Sequence, residues 1–372
     1  MVSKENAENM KAKGLFFVYE EINTVSPDGI EQKILSQVDL FRSIGIDMEL
    51  RCLKSDRKTR WQYDEEYSKV DFIYFRRGTT IDYRFVRFFK RIKHGVKPVI
   101  FMEIPTYPYE GEGGKSLRSI IKHAIDHYYR RKLHPFIDRI VVTGADVGTD
   151  LWGIKPVCIV NGIDLQRIPQ RNFKNHGDVI NITCVAKFSP WHGYERLING
   201  LSDYYKTKPS RIVRLLMVGE GVEKEKYIEL AESLQMSDYI DFLGKKTGND
   251  LEEIYQITDI GVCSLGRYKS NFDVIGDLKS REFMAKGIPM ICGCKIDVLE
   301  GKNYSYAITF PNNGSNIDIE EVLRFYDGLR LQESELEMSK KIRSISSKWI
   351  DYKETYEKVL SEASYLVLNE SK

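Results

Sequence analysis

The chain has 372 residues and balances 56 Lys and Arg against 54 Asp and Glu, for a net charge of +2. That length suits two domains, each large enough to bury a full core. The near-neutral balance offers no global field for nucleic acid, no run reaches transmembrane length, and no N-terminal apolar stretch reads as a signal peptide.

Residues 1–14 are polar and charged and read as a frayed leader. Six cysteines (Cys52, Cys158, Cys184, Cys263, Cys292 and Cys294) sit mostly in apolar runs, and none pairs at zinc-ligand spacing. Reduced thiols in a cytoplasmic protein are expected. His123 and His127 stand one helical turn apart but lack the Glu of a metalloprotease helix, so no metal site is expected.

Residues 15–19 form the first apolar run and read as a buried strand. Turn chemistry at Val25-Ser26-Pro27-Asp28-Gly29 follows, with Ser26 or Asp28 as the cap of the next helix. Ile30, Ile34, Val38, Phe41 and Ile44 give that helix its spacing, Gly45 ends it, and residues 48–53 make a second strand. Strand, Gly-containing loop, helix and strand make a βαβ unit of doubly wound type, with Gly29 where a ligand could approach the backbone. Further strands are expected at 70–75, 98–102, 140–142 and 157–160. The fourth ends in Glu103-Ile-Pro-Thr-Tyr-Pro, which places Glu103, Thr106 and Tyr107 at the carboxyl end of a parallel sheet, where ligands bind.

A second α/β half starts at 180–185 and continues through strands at 213–218, 240–243 and 260–264 with helices between them. Residues 278–289 read as a helix that stops at Gly287, with Pro289 preventing continuation before a short strand at Met290. Its start, at Leu278 and Lys279, follows a Gly- and Asp-containing loop, and unpaired N–H groups there suit an anion. Glu282, one turn inside, could accept hydrogen bonds from a ribose diol. Residues 333–368 are helical in pattern, with a bend expected around Ser344 to Ser347.

Lys187 and His192-Gly193 flank the loop after the first strand of this half, and with the Leu278-Lys279 helix start they could converge on a diphosphate. Residues 110–116 imitate a phosphate loop, but Tyr109 stands where its first Gly belongs, so a flexible loop is expected. Residues 83–97 and 122–136 interleave basic side chains with Phe, Tyr and Ile, a pattern that suits an anionic membrane surface as well as an ordinary amphipathic helix.

These residues resemble a family. Asn161-Gly162-Ile163-Asp164 resembles the Asn-Gly-Val-Asp hinge motif of family 4 retaining glycosyltransferases of the GT-B fold. Lys187 with His192-Gly193 is similar to their Arg and Lys-Gly diphosphate loop. Val218-Gly219-Glu220-Gly221 is similar to their Val-Gly-Asp-Gly segment, and Glu282 with Gly287-Ile288-Pro289 to their Glu, Gly and Pro signature. Glu103-Ile-Pro-Thr-Tyr-Pro-Tyr and Trp191-His192-Gly193 resemble a subset from capsule and exopolysaccharide gene clusters. Two places depart from the pattern: Val274 stands where the family carries a first Glu near the donor sugar, and Glu103 stands where a His is common. Asp273, Asp277 or backbone N–H groups of residues 276–279 are the substitutes for Val274.

The resemblance implies an α/β fold of two Rossmann-like domains facing a cleft: 1–165 for the acceptor, 166–345 for the donor, and 346–372 crossing back to the first. It implies transfer of a sugar, with retention, from a nucleotide diphosphate sugar (a UDP-sugar is the expected donor). The acceptor would be a saccharide or lipid-linked saccharide in cell-surface polysaccharide synthesis. No cofactor and no nucleic-acid partner are implied, and peripheral contact with the inner face of the cell membrane is a further expectation. Glu103, Lys187, His192 and Glu282 are the implied catalytic residues. Gly29, Lys187, His192, Gly219, Gly221, Leu278, Lys279 and Glu282 are the implied binding residues. A nucleotide-sugar epimerase of the same fold and a non-catalytic nucleotide-sugar-binding subunit are the alternatives.

Overall fold

A computed structural model of the chain describes residues 12–25, 27, 29–78, 80–94, 98–105, 107, 109, 117–144 and 146–369. Most of the leader, the proposed caps Ser26 and Asp28, Thr106, residues 95–97 and the glycine-rich run 110–116 lie outside them. The chain divides into two compact units, one of Met1–Asn161 with Tyr352–Lys372 and one of Gly162–Asp351.

The first unit holds a six-stranded parallel sheet in the order β2-β1-β5-β6-β7-β8. Its strands are β1 (Ala12–Val18), β2 (Ile46–Cys52), β5 (Phe72–Arg76), β6 (Val99–Ile104), β7 (Arg139–Thr143) and β8 (Pro156–Ile159). A small antiparallel hairpin of β3 (Ser55–Asp56) and β4 (Arg60–Trp61) follows β2. Apolar side chains on both faces of the strands require cover on both sides. One side takes Phe85, Phe88, Phe89 and Ile92 of α2 (Tyr83–Ile92) against Phe17, Ile73 and Phe75. The other takes Ile34, Val38 and Phe41 of α1 (Gly29–Ser43), with Tyr352, Tyr356 and Val359 from the chain's last helices. Phe85, Phe88 and Phe89 of the first basic helix are therefore core and fully enclosed, whereas Tyr83 at its start is exposed.

Glu103, at the end of β6, is buried in this second layer. It pairs with Lys33 Nζ at 3.0 Å, and its other oxygen accepts from Gln37 Nε2 and Tyr74 OH, both at 2.9 Å. Tyr356 OH lies within 3.4 Å of that oxygen, and Lys33 also donates to Asn161 Oδ1 at 2.8 Å. Burial alone would raise the Glu103 carboxyl, but Lys33, Arg76 and the hydrogen bonds outweigh it and hold it at about 2.

The second unit repeats the architecture. β9 (Ile180–Val185), β10 (Val213–Val218), β11 (Ile240–Gly244), β12 (Ile260–Val262), β14 (Met290–Cys292) and β16 (Ala307–Thr309) run parallel in the order β11-β10-β9-β12-β14-β16. Between them come α4 (Glu195–Lys206), α5 (Lys224–Ser233), α6 (Gly248–Gln256) and α7 (Leu278–Lys286), with α8 (Ile319–Arg330) and α9 (Glu335–Ile350) after the last strand. The expected bend at Ser344 to Ser347 is absent. α9 runs unbroken through those serines from a Ser334–Glu337 capping box, because Ser347 satisfies its hydroxyl on the Ser344 carbonyl within the helix. The break comes at Asp351, whose backbone is extended and bridges Ile163. α10 (Tyr352–Thr355) and α11 (Glu357–Ser364) then follow. All six cysteines are free thiols, four of them buried.

Because the folded Glu103 carboxyl is depressed, its stabilisation is complete above the ordinary value of 4.5 and is lost as pH falls toward about 2. Glu103→Gln leaves Lys33 buried without its counter-charge and is expected to cost roughly 3 kcal/mol at neutral pH. Denaturant titrations across that window should show the deficit shrinking as pH falls. A deficit that does not change with pH would remove the Glu103 charge as its cause.

Candidate functional site

In the second unit the strand order reverses between β9 and β12, since β10 and β11 lie on one side of β9 and β12, β14 and β16 on the other. In open parallel sheets such a reversal opens a crevice beyond the carboxyl ends of the two strands. The loop after β9, residues 186–194, and the loop after β12, residues 263–277, meet there. Leu265 N donates to His192 O at 2.7 Å and Gly266 N to Trp191 O at 3.3 Å. Gly193 has a left-handed backbone, φ +64°, and a methyl group on it would fall 2.4 Å from Gly266 N. Arg196, almost fully buried on α4, ties the same edge down by donating to the carbonyls of Leu265, Pro311 and Ser315.

Gly219 and Gly221 serve this packing. A methyl group on Gly219 would lie 1.8 Å from Ala186 O, and one on Gly221 would lie 2.2 Å from Phe188 O. The space a side chain would need is already filled by the backbone of the β9 loop, so the pair supports that loop from beneath. By contrast, nothing lies within 4 Å of a methyl group placed on Gly29, the first residue of α1 in the first unit. Glu103 also belongs to the first unit.

α7 starts at the crevice. Asp277 caps it, accepting from Ser280 N at 3.1 Å, and Gly287 ends it in a left-handed conformation, φ +74°. Leu278 is its first residue and is half-buried. Lys279 follows, and its ammonium donates to Ser264 Oγ at 3.1 Å and lies 3.7 Å from Asp277 Oδ2. Burial lowers the Lys279 pKa while Asp277 opposes the shift. Burial would raise Asp277, yet Lys279, Ser280 and Arg281 together keep it below the usual carboxylate range. Asp277 is thus committed to the cap and to Lys279. Asp273 is exposed and accepts from Asn312 Nδ2 at 2.9 Å. Val274 lies in a short strand, β13 (Val274–Ile275), paired with β15 (Lys295–Ile296).

His192 lies on the loop after β9. It is buried, its Nδ1 accepts from Ser189 N at 3.0 Å, and its ring stacks on Tyr194. Burial pushes its pKa far down, and the nearby charges of Lys279 and Arg267 push it further. The ring is therefore neutral and no cation, with its proton on Nε2 as a donor, since Nδ1 accepts. Arg267, which the sequence did not single out, reaches over the Trp191 ring, 5.9 Å from its centroid. Lys187 is exposed on the same loop. Glu282, half-buried, has its carboxyl raised by burial, against the opposing influence of Lys286 and the Tyr255 hydroxyl. It stands three residues after Lys279, on a neighbouring face of the helix.

One edge thus gathers a fixed ammonium, a guanidinium, a neutral imidazole donor and a helix N-terminus. That set suits an anion carrying more than one phosphate.

Residues 166–294 match the family model of glycosyl transferases group 1. The matched region contains the whole crevice. A D-inositol 3-phosphate glycosyltransferase from Corynebacterium diphtheriae is 26% identical over 126 residues, which cover 32% of this chain and 28% of that protein. Over the full length, the fold is that of sucrose-phosphate synthase from Thermosynechococcus elongatus, with a TM-score of 0.67, 11% identity, and coverage of 97% and 100% of the two chains. A glycosyltransferase from Rickettsia africae follows at 0.64 and 14%, covering 96% and 99%. Anabaena HepE, solved with UDP, follows at 0.59 and 11%, covering 95% and 100%. The two parallel-sheet units therefore have the GT-B architecture expected from the sequence.

The glycine contacts give a direct check. Gly193→Ala combines a left-handed backbone with a clash against backbone and should cost more than about 2 kcal/mol. Gly29→Ala, in open space on a helix, should change stability by less than about 1 kcal/mol. Denaturant melts of the two variants should separate them clearly.

Proposed function

We propose that the protein is a glycosyltransferase that uses a nucleotide diphosphate sugar, with the diphosphate held at the β9–β12 crevice of the second unit. The observation that carries this reading is the Lys279 ammonium, fixed by Ser264 and Asp277 at the start of α7 inside the region that matches glycosyl transferases group 1. A nucleotide that leaves with two phosphates needs its growing negative charge met by groups already in place. Lys279, Arg267, the exposed Lys187 and the His192 Nε2–H are those groups in this reading, and the first turn of α7 adds its N–H dipoles. Glu282 takes the ribose diol.

UDP is the nucleotide chosen, on the support of the shared fold with HepE, whose structure holds UDP. Transfer proceeds with retention. The bond from the anomeric carbon to the diphosphate oxygen breaks, the acceptor hydroxyl oxygen bonds to the same face of that carbon, and its proton passes to the departing phosphate. No protein nucleophile takes part. The acceptor is a saccharide or a lipid-linked saccharide used in cell-surface polysaccharide, and the protein meets it at an anionic membrane.

A thermal-shift panel of nucleoside diphosphates and their sugars tests the binding step. At about a hundred times its Kd, UDP should add about 2.7 kcal/mol of stability, and the shift should be largely lost in Lys279→Ala and reduced in Lys187→Ala. A panel without any shift would overturn the placement. Once a donor is known, Glu282→Ala should lower turnover at least tenfold, about 1.4 kcal/mol, and the anomeric configuration of the product, read by NMR, decides retention. Conversion of the donor to its epimer without an acceptor would replace transfer by epimerisation.

A further inference from the structure

The helix α3 (Leu117–Arg130) in the first unit is built inside out. A surface helix turns its apolar stripe to the core and its polar side to water. Here the buried residues are Ser119 and Asp126. Asp126 accepts from Arg77 Nη2 at 2.9 Å and from Ile81 N at 2.7 Å, so the inward face is polar and anchored. Leu117, Ile121, Ala124 and Tyr128 recur at helical spacing on the opposite side, flanked by Ile120 and Ile125, and all six are exposed. Leu117 is 74% exposed and Ile120 58%. An apolar stripe three turns long and open to solvent marks a surface with a partner.

The charge around it selects the partner. Arg118 and Lys122 flank the stripe, and Lys132 curls over Tyr128, donating to its hydroxyl at 2.8 Å. α2 and α3 are successive crossovers between parallel neighbours, β5 to β6 and β6 to β7, so both cover the same side of the sheet. The outer side of α2 carries Arg87, Lys90 and Arg91, which with Lys58, Tyr63 and His94 line a groove against the β3–β4 hairpin; Asp56, the one acidic lining residue, accepts from the Lys58 and Thr59 amides of the hairpin turn. α2 contains no acidic residue, and the one in α3, Asp126, is buried and paired.

We infer that this side of the first unit docks on an anionic lipid bilayer. The α3 stripe enters the interface, and the α2 groove takes phosphate headgroups. A helix of this length lies in the interface and does not cross it, and no described helix is long and apolar enough to span a membrane. A second copy of the chain fits less well, because a two-fold pairing would bring the same cations face to face. The docking deepens the transferase reading, since it would bring the enzyme to a lipid-linked acceptor, but its binding chemistry belongs to the first unit alone.

The test is flotation of the full chain with vesicles of phosphatidylcholine, with and without about one-third phosphatidylglycerol. Anionic vesicles should carry the protein, and neutral ones should bind at least tenfold less. Ile121→Glu with Ile125→Glu should reduce anionic binding at least tenfold while leaving the thermal midpoint unchanged, since both side chains already face solvent. Arg87→Glu with Lys90→Glu should weaken it while removing no apolar contact. In a Tyr128→Trp variant, the new emission should shift to the blue on anionic vesicles. Absence of flotation, or flotation unaffected by the isoleucine pair, overturns the docking. So does a dimer in sedimentation that the isoleucine pair converts to monomer, which would assign the face to a second copy. The UDP shift is read on the unaltered chain: its persistence there without vesicle binding rejects docking alone, and its absence with vesicle binding intact rejects the nucleotide site alone.

Discussion

Gly193 and Gly266 approach so closely that neither tolerates a single carbon atom toward the other, and the packing at the carboxyl ends of β9 and β12 depends on that contact. It brings the loop after β9 against the loop after β12, and it leaves Lys279 facing the edge they form. Any side chain at either position would separate the loops and release Leu265 from His192. The stacked glycines at 219 and 221 apply the same principle one strand further along. Glycine here gives room to a second stretch of backbone, and the binding groups are held in register by main chain against main chain.

Around that edge the structure uses buried guanidinium groups as fixed struts. Arg196 spans three carbonyls, and Arg281 pairs with Asp297. Each has its donors met by groups that do not move, which is the condition for a charged side chain to remain inside a protein. Lys279 differs, having one hydroxyl and one carboxylate at 3.7 Å as its partners. An ammonium has three protons to donate, so Lys279 is less fully engaged by these two partners than the guanidinium groups are by theirs.

Much of this was legible in the sequence. The alternation of apolar runs with amphipathic segments gave the strands of both sheets except β16, and Gly287 with Pro289 marked the end of α7. The start of α7 at Leu278 and Lys279 was also visible. Other features depend on contacts that local pattern does not carry. Ser264 and Arg267 lie in a loop without a motif, and their importance follows from β12 lying beside β9. His192 matches a lysine by position, but its neutrality comes from burial and from two cations elsewhere in the chain. A basic helical pattern was read over 122–136, whereas α3 begins at Leu117 and its side facing the core is set by Arg77 and Ile81, one strand away. The break in the last helices was misplaced for the same reason. Serines interrupt a pattern on paper yet satisfy themselves within a helix, and the extended Asp351 is imposed by its bridge to Ile163.

That return of the chain at Asp351 also bears on how the protein is made. The second unit is one continuous stretch, so all of its strands have left the ribosome before the final helices are synthesised. The first unit is begun before the second but lacks Tyr352, Tyr356 and Val359 until the second has been synthesised. Until then the face of its sheet carrying Phe16, Phe72 and Tyr74 is only part-covered, by α1, and Glu103 lacks Tyr356. The half that starts first therefore finishes last. A nascent chain of this kind carries an open apolar face throughout synthesis of the second unit, the period when a chaperone has most to shield.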